Sequence, residues 1–279
     1  MIIKDDTKEL QYQPKNNPGI RENKYNYKSG QRKLLVTEIE FLTLYGHLSD
    51  TVLYIGSAPG HHLDTLIDCF PNIKKWIFYD PSDTVCKNSM KVEKHKKFFT
   101  PKIALEFNGK NVLFISDIRG FTKSCKQDIK IADNTIINDM ETQKLMVKNS
   151  NFVMSSLKFR LPWEANSDIT EYFDGDLHTT PWLGEFSPEL RLFTDGKLYK
   201  NYSNKKIDNQ LYWYNCEQRR QLYPELKSNY IEHDYDQLEE CRIVKNYLKQ
   251  KLGDTPDLDE KVQSFIKTKC SIYKPTYRY

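Results

Sequence analysis

Apolar residues in the first third of the chain recur at the spacing of an α-helix and then of a β-strand. Leu35, Ile39 and Leu42 lie about one helical turn apart, and Gly46 is a suitable end for the helix that they predict. The next apolar run, Thr51–Ile55, is rich in strand-forming residues. This order predicts a helix from Gln31 onward, followed by a buried strand.

Further strands and helices alternate along the middle of the chain. Lys75–Tyr79, Asn111–Ile115 and Phe152–Phe159 have the composition of strands, and His62–Cys69 has that of a helix. Alternation of this kind is typical of a mostly parallel sheet with helices on both faces. We therefore predict a Rossmann-like α/β fold.

The later part of the chain has a different pattern. Leu190–Thr194 and Lys197–Tyr202 flank the pair Asp195–Gly196, a two-residue signal for a β-hairpin. We therefore predict an antiparallel hairpin addition to the sheet. Leu211–Leu222 and Glu239–Lys251 predict two further helices.

The 279 residues are predicted to form an N-terminal arm (1–30), one domain (31–266) and a basic, aromatic tail (267–279). A net charge of +4 permits a nucleic-acid partner without requiring one. Six scattered cysteines without a C-x-x-C pair disfavour disulfides and a zinc site, and we predict no metal. No apolar run is long enough to span a membrane, and Met1–Leu10 lack the core of a secretory signal. We expect a soluble intracellular protein.

A glycine turn follows the first predicted strand, at the place of a ligand-binding loop. It consists of Gly56, Ser57, Ala58, Pro59 and Gly60, and its glycines let the backbone turn tightly and approach a ligand. The turn lacks the G-x-G-x-x-G spacing of a dinucleotide fingerprint, and no Gly-Lys-Ser/Thr follows it as in a P-loop. A pyrophosphate site is therefore disfavoured.

Asp80 follows the second predicted strand, where nucleoside-binding α/β folds place an acid that binds ribose hydroxyls. A ligand with a ribose but no pyrophosphate suits this combination, and S-adenosylmethionine has that composition. A nicotinamide dinucleotide fits less well, because its phosphates need the free amides of a glycine-rich helix start. An ordinary turn with an unrelated surface acid is the alternative interpretation.

Four charged residues stand at predicted element ends or inside an apolar strand. They are Lys33, Asp117, Lys158 and Glu189. A lysine inside an apolar strand, as at position 158, costs free energy to bury unless it is paired. The ends of parallel strands are where such folds assemble sites, although each of these residues singly has an ordinary structural explanation.

Five stretches that contain these residues occur in an order that resembles a known family. They are Gly30–Leu35, Tyr54–Gly60, Ile115–Arg119, Ser155–Arg160 and Glu189–Leu192. In this order they resemble the poxvirus cap-specific mRNA nucleoside-2′-O-methyltransferases, which also serve as the regulatory (small) subunit of the viral poly(A) polymerase. The resemblance runs from Tyr12 to Leu248. It implies a methyltransferase fold that uses S-adenosylmethionine, and a large DNA virus as the source.

The resemblance implies that Lys33, Asp117, Lys158 and Glu189 form a catalytic tetrad. Lys158 is then the general base for the ribose 2′-hydroxyl of the first transcribed nucleotide of capped mRNA, which converts cap-0 to cap-1. Burial and the second cation, Lys33, are expected to lower the pKa of Lys158 so that it can accept a proton. The two acids would orient the lysines.

The resemblance also implies a set of cofactor contacts. They are Gln31, Tyr54, Gly56, Ser57, Ala58, Pro59, Gly60 and Asp80, with Asp117 at the methionine end and the adenine near Phe98 or Phe99. One departure is Ser82, because the family has an arginine two residues after the ribose-binding acid.

Cap recognition in the family uses two aromatic rings that enclose the cationic N7-methylguanine. Tyr12 and Trp163 match these positions, although the family has Phe at the second. Asp208 matches an acid that binds the guanine edge, while the other acid falls at Ala165, with Glu164 adjacent. A packed rim aromatic at Trp163 is the alternative interpretation.

Several further residues are candidates for contacts with RNA. Arg160, Arg191 and the lysines between Lys87 and Lys110 are candidates for the backbone path, and Ser187 for a contact with the transcript. For most of Lys87–Lys97, a solvated helix face is the favoured interpretation.

Three other functions compete with this prediction. The main one is a non-catalytic RNA- and cap-binding subunit of a viral poly(A) polymerase, and this role can also coexist with catalysis. The glycine turn disfavours a nucleotide-dependent oxidoreductase. A ribosomal-RNA methyltransferase of the FtsJ type shares the tetrad but not the Tyr12–Trp163 pair. We expect capped mRNA and a polymerase catalytic subunit as partners, no membrane, and a location in the host cytoplasm or the virion.

Overall fold

The computed structural model of the chain describes residues 1–12, 29–120, 128–163, 168–183, 187–220 and 235–273. The strands are β1 (Ile2–Ile3), β2 (Thr51–Ile55), β3 (Lys75–Tyr79), β4 (Val92–His95), β5 (Leu113–Ser116), β6 (Met154–Phe159), β7 (Ile169–Phe173), β8 (Asp176–His178), β9 (Leu190–Thr194) and β10 (Tyr199–Ser203). The helices are α1 (Ser29–Tyr45), α2 (Leu63–Cys69), α3 (Pro101–Ala104), α4 (Ile129–Ser150), α5 (Asn204–Cys216), α6 (Tyr235–Leu252) and α7 (Leu258–Phe265).

The central sheet has eight strands in the order β1-β8-β9-β6-β5-β2-β3-β4. The five strands from β4 to β6 run parallel to one another. The other three are antiparallel to the strands they pair with. This arrangement confirms the predicted mostly parallel α/β sheet with an antiparallel addition.

Helices cover both faces of the sheet because its central strands are apolar on both sides. Leu53 and Ile55 of β2 pack into a core with residues of α3, α4 and α5. Val52 and Tyr54 pack into a second core with residues of α1, α2, α6 and α7. The alternation of side chains along a strand thus produces a three-layer α/β/α domain.

The chain order creates a crevice at the carboxyl ends of the parallel strands. From β2 the chain continues to β3 and β4 on one side and then returns to β5 and β6 on the other. Ligands of open α/β sheets bind at such a switch point, outside the carboxyl ends of the strands. Here that point lies at the ends of β2, β3 and β5, which carry Gly56, Asp80 and Asp117.

The predicted hairpin across Asp195–Gly196 is wrong. β9 pairs with β6 on one edge and with β8 on the other, so neither edge is open to the strand that follows the turn. β10 instead pairs antiparallel with β7 in a separate two-stranded sheet. The antiparallel addition to the main sheet is therefore β8 and β9.

The lysine-rich segment Lys87–Lys97 does not form the helix face that its charges suggested. Residues Val92–His95 form β4, which pairs in parallel with β3 at the edge of the sheet. Its side chains are all partly exposed, as expected of an edge strand. The predicted helix at Leu211–Leu222 also differs, because α5 runs from Asn204 to Cys216.

Residues of the predicted N-terminal arm and of the predicted tail pack with the domain. Ile2 and Ile3 of the arm pair with β8 and so belong to the main sheet. At the other end, Ile266–Cys270 continue α7 as a π-helical turn, and Cys270 is fully buried. The Tyr273 hydroxyl forms a hydrogen bond with the Thr65 hydroxyl at 2.9 Å. The tail therefore packs against the domain as far as Tyr273, and the rest of it lies outside the described residues.

No helix in these described ranges is both long and apolar enough to cross a membrane. Within them, His, Cys, Asp and Glu side chains nowhere form a group of three or more that could hold a metal ion. The cysteines there are free thiols: Cys69, Cys86, Cys216, Cys241 and Cys270.

Candidate active site

The four charged residues singled out in the sequence lie together at the end of the crevice. Nζ of Lys33 is 2.7 Å from Oε1 of Glu189. Nζ of Lys158 is 2.8 Å from Oδ1 of Asp117 and 3.6 Å from Oε2 of Glu189. Two lysines and two carboxylates thus form one connected cluster.

The fold brings these side chains from four separate elements. Asp117 follows β5, and its backbone N–H donates to the Ile55 carbonyl oxygen at 3.0 Å. Lys158 lies in β6, the neighbour of β5, and Glu189 precedes β9, which is antiparallel to β6. Lys33 lies near the start of α1. The cluster therefore depends on the strand order and not on any local motif.

Arg191 is a fifth member of the cluster. It is the cross-strand partner of Lys158, and only 2% of it is exposed. One of its terminal nitrogens lies 2.5 Å from Oδ1 of Asp117 and 3.0 Å from Oε1 of Glu189. The prediction that Arg191 lines an RNA path is therefore wrong. Its position two residues after Glu189, on the same strand face, was the available signal.

The environment of Lys158 makes its neutral amine more accessible than that of a lysine in water. Burial lowers the pKa of Lys158, and the nearby cations Lys33 and Arg191 add to this effect, against the opposing attraction of Asp117 and Glu189. For the two acids, burial alone would raise the pKa. The cations, led by Lys158, outweigh burial and hold the pKa of Asp117 and of Glu189 below the ordinary range.

A cleft of about 700 Å³ adjoins this cluster at the switch point of the sheet. Its wall includes many of the predicted cofactor contacts, namely Gly56, Ala58, Pro59, Asp80, Phe98, Phe99 and Asp117, together with Lys158. It also includes Asn138, Asp139 and Thr142 of α4, which the sequence did not indicate. A cavity of this size is ordinary for a small-molecule site.

The glycine turn fits closely against the end of β5. Gly56 has a φ of +72°, and a Cβ atom there would lie 2.8 Å from the Asp117 carbonyl carbon. Asp80 is held beside the turn, where its Oδ2 accepts from the Ala58 N–H at 3.1 Å and its Oδ1 from the Ser82 N–H at 2.7 Å. The glycine turn, Asp80 and two members of the charged cluster, Asp117 and Lys158, thus border one cleft.

The other predicted cofactor residues lie behind or beside this wall. Tyr54 is fully buried, and its hydroxyl donates to Glu38 at 2.6 Å. The side chain of Gln31 forms a hydrogen bond with His62, and that of Ser57 with Thr84. These residues and Gly60 do not line the cleft.

The predicted cap-binding residues form a second cluster. The Tyr12 ring lies edge-on to Tyr212 at 5.4 Å, and the Arg160 guanidinium lies 4.2 Å from the centre of the Trp163 ring. Tyr12 and Trp163 are 42% and 40% exposed, so part of each side chain is accessible to a ligand. Burial raises the pKa of Asp208 to about 6, although Arg160 and Trp163 oppose this shift. Tyr12, Arg160 and Trp163 thus share Asp208 as a neighbour.

Two predicted RNA contacts remain. The Ser187 hydroxyl accepts from the Glu189 N–H at 3.4 Å, which places it beside the tetrad. Glu164 and Ala165 lie outside the described residues.

The fold and site define a class of protein. It is a Rossmann-like α/β domain with a ligand cleft at the switch point of its sheet and a Lys-Asp-Lys-Glu cluster at the end of that cleft. Sequence comparison identifies the particular family, because the family described as poly A polymerase regulatory subunit matches residues 1–269. The chain belongs to the poly(A) polymerase regulatory subunit family.

Poxvirus proteins are among the relatives. A fowlpox virus (strain NVSL) protein named cap-specific mRNA (nucleoside-2′-O-)-methyltransferase is 33% identical over 183 residues, 59% of this chain and 57% of that protein. Proteins of the same name from myxoma virus (strains Lausanne and Uriarra) are 27% identical over 229 residues, 74% of this chain and 66% of theirs. The chain thus spans between 57% and 66% of the length of these relatives.

A protein among the solved structures is weakly similar to the chain. It is bluetongue virus VP4, described as a multifunctional RNA-capping production line, with a TM-score of 0.48 and 16% identity. The similarity covers 73% of this chain and 34% of that one, and it is too weak to assign a function.

Proposed function

We propose that this chain transfers a methyl group from S-adenosylmethionine to the ribose 2′-hydroxyl of the first transcribed nucleotide of capped mRNA. The observation that carries the proposal is the convergence of Lys33, Asp117, Lys158 and Glu189 at the end of the cleft. The names of the fowlpox and myxoma relatives support it.

The cleft has groups that suit each part of S-adenosylmethionine. The Asp80 carboxylate would accept from the ribose hydroxyls. Phe98 and Phe99, which line the cleft, would form an apolar wall for the adenine, and Asp117 would contact the methionine end. Bound there, S-adenosylmethionine would supply a methyl group already activated by its sulfonium.

The charged cluster would prepare the attacking hydroxyl. A neutral Lys158 accepts the proton of the 2′-hydroxyl at Nζ, and its lowered pKa makes the neutral form accessible. Lys33 and Glu189 hold the amine and the sugar in position. Alignment is a large part of the rate enhancement when the electrophile is already reactive.

The second cluster would select the substrate. Tyr12 and Trp163 present aromatic faces to the cationic N7-methylguanine, which binds such faces better than neutral guanine does. The carboxylate of Asp208 would accept from the guanine N–H groups. Arg160 lies over the Trp163 ring and acts electrostatically on Asp208, and its guanidinium would contact a phosphate of the cap.

A methyl-transfer assay tests the proposal. The purified chain is incubated with labelled S-adenosylmethionine and short RNAs that are either uncapped or carry cap-0, and the position of the label is mapped. We expect label on the 2′-oxygen of the first nucleotide of cap-0 RNA only. Absence of transfer to cap-0 RNA, with the cofactor bound, would favour the non-catalytic polymerase subunit.

Cap affinity should fall in mild acid because of Asp208. Its pKa of about 6 means that the carboxylate needed by the guanine edge is lost as the pH falls through that value. We expect about tenfold weaker binding of an N7-methylated cap analogue at pH ~5 than at pH ~7. The Asp208→Asn variant, which cannot titrate, separates this effect from titration of the ligand. Equal pH profiles for wild type and variant would contradict the role of Asp208.

Membership of the family also supports a role as a poly(A) polymerase subunit. The family description names a regulatory subunit, so a polymerase catalytic subunit is a proposed partner. Co-purification with that subunit should be unchanged by Lys158→Ala, because the Lys158 side chain is only 11% exposed and offers little surface to a partner. Loss of the complex in this variant would indicate that the two roles share one site.

A further inference from the structure

The backbone of Trp163 is held by an acid that the proposed chemistry does not use. Trp163 lies four residues beyond the end of β6, outside any helix or strand. Its N–H donates to Oδ1 of Asp133 at 3.0 Å. Asp133 lies on α4, and only 4% of it is exposed. An acid is rarely buried so deeply unless it is paired, because it loses its hydration. The bond offsets part of that cost and ties the loop after β6 to α4.

The side chain of Trp163 is restrained as well. The Arg160 guanidinium lies 4.2 Å from the centre of the ring, over one face of the indole. Burial raises the pKa of Asp208 to about 6, and a hydrogen bond from the Trp163 side chain is among the contacts that oppose this shift. A planar ligand can therefore stack only on the face of the indole that Arg160 does not cover.

Asp133 also lies close enough to two other members of this cluster to act on their charges. Burial lowers the pKa of Arg160 to about 10, and Asp133 is among the acids that oppose this shift. For Asp208, burial raises the pKa, and the negative charge of Asp133 adds to that effect. One buried acid is thus linked to the backbone of Trp163 by a hydrogen bond and to Arg160 and Asp208 by charge.

The second aromatic residue of the cluster is anchored in a similar way. The N–H of Tyr12 donates to Oδ1 of Asn209, on α5, at 3.1 Å. Tyr12 and Trp163 both lie outside helices and strands, and each is fixed through its N–H by a side chain from a helix. A site that is held in its binding conformation loses less freedom when the ligand arrives. Such anchors can therefore raise affinity without touching the ligand.

We infer that Asp133 is a positioning residue for cap recognition, an inference that rests on the proposed function. Its carboxylate fixes the backbone of Trp163, so that the indole presents one face to the flat, cationic N7-methylguanine. Asp133 is itself so deeply buried that it offers almost no surface to the cap. It is also not among the residues that line the cofactor cleft, so its replacement should leave that cleft unchanged.

Two substitutions of Asp133 test whether the hydrogen bond carries this role. Asparagine keeps an oxygen that can accept from the Trp163 N–H, whereas alanine has no acceptor. We expect Asp133→Ala to bind an N7-methylated cap analogue about tenfold more weakly than wild type, and Asp133→Asn to stay within about threefold of it. The affinity for S-adenosylmethionine should be unchanged in both variants. Calorimetry gives the affinities, and thermal unfolding checks that the variants fold.

The control is Glu141→Ala, at an exposed acid of the same helix, which should bind both ligands as wild type does. Steady-state kinetics give a further readout that simple support of the fold would not produce. Asp133→Ala should raise KM for cap-0 RNA and leave the rate at saturating RNA close to that of wild type, because the charged cluster and the cofactor cleft are intact.

A second residue shows whether the effect passes through Trp163. Trp163→Ala alone should weaken cap binding, and the double variant with Asp133→Ala should show no further loss. Additive losses, equal losses for Asp133→Ala and Asp133→Asn, or an unchanged cap affinity in Asp133→Ala would each overturn the inference.

Failure of the proposed function gives a different result. A wild type that binds methylated and unmethylated cap analogues equally would remove cap specificity, and with it the role of Asp133. If Asp133→Ala does not fold, hydrogen exchange of the Trp163 amide in wild type decides the point. A protected amide would support the bond to Asp133, whereas exchange at the rate of an unstructured peptide would refute it.

Discussion

Replacing Lys158 with alanine is expected to lower the rate of 2′-O-methyl transfer about a thousandfold while leaving the affinity for S-adenosylmethionine within about twofold of wild type. General bases contribute about 10²- to 10⁴-fold to such reactions. Cofactor affinity should persist because Asp80 and the glycine turn lie outside the charged cluster. Single-turnover rates with cap-0 RNA, together with calorimetry, measure both effects.

A second substitution at position 158 distinguishes a base from a fixed positive charge. Lys158→Arg retains the cation, but arginine stays protonated at neutral pH and cannot accept the proton. If Lys158 is the base, Lys158→Ala and Lys158→Arg should be equally inactive. An arginine variant with substantial activity would show that position 158 supplies charge alone. Lys249→Ala, at an exposed lysine of α6, is the matched control and should retain full activity.

The pH dependence of the wild-type rate follows from the same environment. Burial lowers the pKa of Lys158, so its neutral form becomes available below the usual lysine range. The rate should therefore rise with pH and level off before ordinary lysines titrate. A rate that stays flat across that interval would argue against proton transfer to Lys158.

The sequence predicted the parts of the fold that local composition determines. β2 and β3 have the bounds predicted from their apolar runs, because both are central strands buried on both faces. The hairpin at Asp195–Gly196 failed because a turn signal does not show which strand edges are free. The longest helix among the described residues, α4, was not predicted, since many polar residues separate its buried Ile136, Met140 and Met146.

For the candidate site, too, some residues were predicted from the sequence and others were not. The tetrad was predicted through the order of five motifs, and the structure places its members in contact. Arg191 and His62 could not be given their places from the sequence. The cross-strand partner of Arg191 is Lys158, which lies more than thirty positions earlier in the chain. His62 acquires its partners only when α1 packs beside the glycine turn.

Replacing Arg191 with methionine is expected to destabilise the protein by about 3–5 kcal/mol at neutral pH. The substitution keeps much of the apolar stem but removes the cation that contacts both Asp117 and Glu189. It also leaves the Ser116 carbonyl oxygen without the guanidinium that donates to it at 3.2 Å. Thermal unfolding should therefore show a midpoint lowered by about 10 °C.

The pH dependence of that loss identifies its cause. The cations hold the folded-state pKa of Asp117 and of Glu189 below the ordinary range, so the stability that these acids contribute is present above the unfolded-state pKa of about 4. It is lost as the pH falls through the folded-state pKa. The difference between wild type and Arg191→Met should accordingly be largest near neutrality and narrow in acid. Arg191→Lys, which keeps the charge without the two-pronged contact, should lie between them.

A kinetic effect should accompany the loss of stability, since Arg191 also acts on Lys158. Removal of this cation takes away one of the influences that lower the pKa of Lys158. The rise of methyl-transfer rate with pH should therefore move to higher pH in Arg191→Met than in wild type, measured at a temperature where both are folded. A variant with unchanged unfolding and an unchanged pH–rate profile would exclude Arg191 from the catalytic cluster. The combination of both shifts would instead show that one buried guanidinium both stabilises the two carboxylates and lowers the pKa of Lys158.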